Sequence, residues 1–103
     1  MDKITALSEI MKQNPTDAFT RYGLAMAYAA EGQNDQALAE YDIILGHSPD
    51  YVPAYQMSAQ LLLKLSRTEE ARARLQAGVT AAGRTGNAHA QSELQAMLDD
   101  IGA

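Results

Sequence analysis

A shift of 34 residues lays this sequence on itself, and few folds survive that constraint. Pro15 falls on Pro49, Thr16 on Asp50, Ala25 on Ala59, Ala37 on Ala71 and Leu45 on Val79. The match also runs backwards: Ile4 falls on Leu38, Leu7 on Tyr41, Ile10 on Ile44 and Met11 on Leu45. Self-similarity at a fixed period of this size marks a repeat architecture, in which each unit buries its apolar face against its neighbours.

Within each period the pattern is a pair of helices. Nineteen alanines favour helix, and no stretch alternates apolar and polar residues with a period of two. The first helix of the pair is expected over roughly 17–31 and again over roughly 51–65. The second is expected over roughly 35–46 and roughly 69–82. Helix starts are assigned to Thr16, Asn34, Asp50 and Thr68, whose side chains can accept a backbone N–H. Pro53 fits a first turn. Gly32 can end a helix, and Pro15 and Pro49 force the residues before them out of the α region. Residues 2–13 match a second helix alone. With a last helix over Ala88 to Ile101, this gives six helices and no strand.

The residues at fixed offsets resemble the tetratricopeptide repeat (TPR) family. The first full repeat carries Arg21, Leu24-Ala25, Tyr28, Gly32, Ala37, Tyr41 and Pro49. The second carries Tyr55, Ser58-Ala59, Leu62, Ser66, Ala71, Leu75 and Gly83. Arg21 stands where the family usually has a large aromatic, Ala25 and Ala59 replace a packing glycine, and Gly83 replaces the closing proline. The resemblance implies an all-α fold, with antiparallel helix pairs stacked as a short right-handed α-solenoid of about two and a half repeats plus a C-terminal capping helix. Residues 1–103 then form a single TPR domain, with a half repeat at 2–14, repeats at 18–51 and 52–85, and the capping helix at 88–101. In the last helix Ala90, Leu94, Met97, Leu98 and Ile101 form one stripe. The 34-residue register would put Glu93 at a close-packed position, so a two-residue insertion is expected between Gly83 and Asn87.

The family holds peptides along a concave face lined by the first helix of each repeat. Here those positions are Phe19, Tyr22, Met26 and Ala30 in one repeat and Gln56, Gln60, Leu63 and Lys64 in the other. Tyr28, Tyr41, Tyr55, Leu62 and Leu75 fall instead where helix packs on helix, and are expected in the core. Some members clamp a terminal carboxylate with several cations. Lys64 is the only cation among these positions, so the segment bound is expected to be neutral or apolar. The resemblance therefore implies a protein-interaction module or adaptor. A different class of function, homo-oligomerisation, rests on Ile4, Leu7, Ile10 and Met11, which crowd a helix lacking its repeat partner.

Chemistry is sparse. There are 13 acidic and 8 basic side chains and a formal charge of −5, which disfavours nucleic acid. Cysteine is absent, so thiol nucleophiles and thiolate metal sites are excluded. No serine has a histidine in a nucleophile pattern, and no phosphate-binding glycine loop occurs. His89 and Glu93 are four apart but lack a third metal ligand. Arg67, Arg72 and Arg74 are offset by Glu69 and Glu70 and read as an outer helix face. No enzyme, cofactor, metal, nucleic acid or membrane is expected. With no signal-peptide pattern, a cytoplasmic setting is expected.

Overall fold

The computed structural model describes residues 2–102. It contains α1 (Lys3–Gln13), α2 (Ala18–Ala30), α3 (Asn34–His47), α4 (Val52–Lys64), α5 (Thr68–Arg84) and α6 (Ala88–Ile101), with no strand among the described residues. The helices fall into two compact units, one ending at Ser48 and the other beginning at Pro49. In the first unit α2 packs on both α1 and α3; in the second α5 packs on both α4 and α6.

The helix starts lie one residue away from the side chains assigned to them. Asp17, not Thr16, caps α2: its carboxylate accepts from the Phe19 N–H at 3.2 Å and the Thr20 N–H at 3.5 Å. The Thr20 hydroxyl also donates to it at 2.6 Å. That hydroxyl, followed by the two N–H groups, holds the Asp17 carboxyl below its usual 3.8. Asn34 and Thr68 are the first residues of their helices rather than caps, and Asp50 precedes the cap residue Tyr51. Asp50 instead accepts from Arg84 Nε at 2.7 Å.

Three helices end alike. Gln33 N donates to Tyr28 O at 2.9 Å, Arg67 N to Leu62 O at 2.8 Å and Asn87 N to Ala82 O at 2.8 Å. Each such bond spans a residue in the left-handed region: Gly32 at φ 76°, Ser66 at φ 62° and Gly86 at φ 72°. This is the Schellman ending, which favours glycine because a Cβ crowds the backbone there. Ser66 lies one repeat after Gly32 and keeps the conformation without the residue suited to it. Ser66→Gly is therefore expected to stabilise the protein by up to about 1 kcal/mol, read as a raised urea midpoint.

The expected insertion is taken up mostly by helix. Gly83 and Arg84 lie inside α5 rather than in the loop, which leaves only residues 85–87 between α5 and α6. Leu94 thereby reaches a fully buried position and Leu98 a half-buried one.

The close contacts fall on small residues. Ala25, Ala37, Ala59 and Ala71 are all completely buried. Tyr41, Tyr55, Leu62 and Leu75 are buried as well, whereas Tyr28 is half-buried. Arg21 and Tyr55, one repeat apart, do the same local work by different chemistry. Arg21 Nη2 donates to Pro15 O at 2.9 Å, and the Tyr55 hydroxyl donates to Pro49 O at 2.6 Å. Arg21 Nη1 also donates to Glu40 Oε2 on α3 at 2.5 Å, so an ion pair shielded from solvent stands in for the aromatic ring.

Tyr41 meets Tyr22 edge to face, with ring centroids 6.1 Å apart. Burial, with the neighbouring Tyr22 as a smaller cause, pushes the Tyr41 phenol up to about 12. Its folded form keeps its proton after the unfolded form has lost it. Stability should therefore fall as pH rises above the ordinary value of 10.0 toward about 12, by up to about 1.4 kcal/mol per pH unit. Thermal melts of the wild type and Tyr41→Phe across that interval check this: the wild type should lose stability faster with rising pH, because the phenyl ring of the variant has no proton to lose.

Candidate functional site

The first-helix positions differ sharply between the two repeats. On α2, Phe19 is 76% exposed and Met26 41% exposed, and Tyr22, half-buried against Tyr41, lies between them. The three share one face at helical spacing. An α2 starting at Ala18 puts Phe19 in its first turn, just after the Asp17 cap, so the ring projects at the open end of the helix. Met26 and Ala30 also line a cleft of about 380 Å3 with Asp2, Lys3, Ile4, Ala27, Glu31 and Gln33. That cleft lies within the first unit.

On α4 the face is mostly polar. Gln60 and Lys64 are exposed, and Gln56 and Leu63 are half-buried. Gln56 Nε2 donates to Glu93 Oε2 on α6 at 3.3 Å, so this amide is already engaged. Glu93 also pairs with His89, one turn earlier on α6. Leu63 lines a second cleft, of about 510 Å3, with Thr68, Met97, Asp100 and Ile101.

Thus Phe19, Tyr22 and Met26 come together on the first unit, and Gln56, Gln60, Leu63 and Lys64 on the second. Sequence reasoning did not include the α6 residues Glu93, Met97, Asp100 and Ile101, which share the face of α4. The signal was present in the stripe of Met97 and Ile101, but a capping helix was expected to spend that stripe on covering the core. Two arginines of the run pair with glutamates three residues away in sequence: Arg67 with Glu70 at 2.6 Å and Arg72 with Glu69 at 3.4 Å. Among the described residues no group of three His, Asp or Glu side chains is placed to hold a metal ion. No described helix is long and apolar enough to cross a membrane.

These helix pairs, with small residues at the contacts and Schellman endings one repeat apart, are matched by a family model. The tetratricopeptide repeat model matches residues 4–57 and 30–98. The chain belongs to the tetratricopeptide repeat family. Solved TPR structures agree with this. A tetratricopeptide repeat domain protein from Salinibacter ruber, solved by NMR, is 31% identical; the match covers 86% of this chain and 90% of that one, with a TM-score of 0.82. A crystal structure of a tetratricopeptide repeat domain protein from the same organism is 32% identical over 82% of this chain and 94% of that one, with a TM-score of 0.76. The TPR2B-domain:pHsp70 complex of yeast Sti1 is 22% identical over 95% of this chain and 78% of that one. Its TM-score of 0.86 speaks to the fold alone. No curated protein matches the sequence. The TPR is a protein-interaction fold, and this chain is placed in that class by its family and its helix pairs.

Proposed function

We propose that this TPR chain is an adaptor that binds a segment of a partner protein on the first-helix faces of its repeats, without catalysis of its own. Its repeats are 18–51 and 52–85, flanked by a half repeat at 2–14 and a closing helix at 88–101 in one domain, in a cytoplasmic setting. The observation that carries the reading is the exposure of Phe19 and Met26 on one face of α2. Two large apolar side chains left in water beside a half-buried tyrosine make a patch that a partner can cover, and aromatic and methionine side chains are the types that dominate binding surfaces. On α4, Gln60 offers both a donor and an acceptor to the backbone of an extended segment. A yeast TPR domain of the same fold was solved in a complex with pHsp70. With Lys64 the only cation among these positions, a neutral or apolar segment fits better than an acidic terminus. An array of capped nine-residue peptides tests this. Neutral and apolar members should bind with micromolar affinity, and Phe19→Ala should weaken them about tenfold or more. A preference for acidic C-termini that Phe19→Ala leaves intact would refute the placement.

A second reading is self-association through α1. Ile10 is 49% exposed, whereas Ile44, at the same repeat position in α3, is 2% exposed. The difference follows from packing: α3 has α2 packed ahead of it in sequence, and α1 has no such helix among the described residues. Leu7 is less available, because it reaches across to Gly23 on α2. If a second copy covers Ile10, light scattering should show mass rising with concentration, and Ile10→Lys should abolish the rise. A monomer throughout would remove this reading.

A further inference from the structure

The C-terminal end of α6 breaks a local rule. Asp99 and Asp100 occupy its last turn, where the helix dipole favours cations, and no basic residue of α6 lies there. Asp99 accepts from Gln95 Nε2 at 3.1 Å. Arg72 of α5 donates to the Gly102 carbonyl at 2.5 Å and so covers the end of the backbone. Asp100 forms no hydrogen bond or ion pair among the described residues, and it stands on the rim of the cleft with Leu63, Met97 and Ile101. The cleft lies between α4 and α6 of the second unit, with Thr68, the first residue of α5, also on its edge. The Gln56–Glu93 hydrogen bond joins α4 and α6 toward their N-terminal halves, and the apolar cleft opens toward their C-terminal ends.

Apolar walls with one unmatched carboxylate at the edge define a two-part recognition site. We propose that the α4–α6 cleft binds a partner-protein segment in which an apolar side chain of leucine or methionine size is accompanied by a nearby Lys or Arg that pairs with Asp100. The apolar side chain covers Leu63, Met97 and Ile101, and burial of that surface supplies most of the affinity. The cation meets the Asp100 carboxylate, which selects its sign. The inference rests on the adaptor reading and specifies the partner's chemistry at one end of the binding face.

The test is an array of capped nine-residue peptides, each with a central leucine and with Arg, Ser or Glu at each neighbouring position, followed by fluorescence polarisation of the strongest members. Arg-containing peptides are expected to bind more tightly than their Glu counterparts, and the difference should shrink between low and high salt. Asp100→Asn, an exposed and nearly isosteric change, should weaken Arg peptides about two- to fivefold and leave Ser peptides unchanged. Met97→Ala should weaken both sets. Equal binding of Arg and Glu peptides, or indifference to both substitutions, overturns the proposal. If the peptides bind, ignore Asp100→Asn and Met97→Ala, and are lost with Phe19→Ala, the cleft assignment fails and the adaptor reading survives. If no member binds, both fail.

Discussion

Leu94→Ala is expected to lower the unfolding free energy by about 2–5 kcal/mol. Leu94 is completely buried, and it is the only residue of α6 that is. Its side chain reaches the α5 backbone where that backbone lacks a Cβ: a Cβ built on Gly78 would lie 3.2 Å from Leu94 Cδ1. Truncation removes the transfer free energy of the buried methyl and methylene groups and leaves a cavity against a rigid helix surface, which collapses poorly. For a domain of this size, whose whole stability is on the order of 5–15 kcal/mol, the loss is large. A urea titration followed by circular dichroism reads it directly. A shift below about 1 kcal/mol would mean that α6 is not docked through Leu94.

Gly78→Ala is expected to destabilise the protein by about 1–3 kcal/mol, although helix propensity alone points the other way. In an open helix the exchange would stabilise by roughly 0.5–1 kcal/mol. Here the new Cβ would lie 2.8 Å from Tyr55 Cβ and 3.2 Å from Tyr55 Cγ. Those atoms are the base of a side chain whose hydroxyl is fixed to Pro49 O, so the ring cannot swing aside cheaply. Gly83→Ala supplies the control within the same helix. There the new Cβ would meet Gln91 Nε2 at 2.7 Å, the far end of a flexible side chain. Gln91 can turn away, losing one hydrogen bond to Val79 O, and the gain in propensity offsets that loss to give a change near zero. Urea midpoints of the two variants should therefore move differently; equal shifts would show that propensity, not packing, governs α5.

The fold was legible because the period repeats one physical solution. Ala25, Ala37, Ala59 and Ala71 recur at fixed spacing because two helix backbones approach closely there, and each is completely buried. The caps were legible only to within a residue. Thr16 and Asp17 both carry an acceptor, and the sequence does not say which one the N–H groups of Phe19 and Thr20 will reach. Arg21 read as a departure from the family because its role depends on Glu40, nineteen residues away on another helix, and only packing brings them together. Ser66 is similar: its position at a helix end was legible, but its left-handed φ was not.

The candidate site was legible in part, for the same reason. Phe19 and Met26 fall on one helix face by spacing alone, and their exposure follows from the neighbours that α2 has. Gln56 was expected to be available to a ligand and is instead engaged by Glu93, because α6 lies alongside α4. That placement also brings Met97, Asp100 and Ile101 into play, and no periodicity within α6 distinguishes residues that cap a core from residues that line a cleft.

Where the partner lies is decided most directly by titrating the labelled protein with the strongest-binding array peptide and following its backbone amides in nitrogen–proton correlation spectra. For an adaptor of this kind the largest shifts are expected at Phe19, Tyr22 and Met26 on α2 and at Gln60 and Leu63 on α4, with α3 and the outward residues of α5 little changed. Shifts concentrated on exposed second-helix positions such as Asp42, Glu69 and Gln76, with Phe19 and Met26 unmoved, would contradict it.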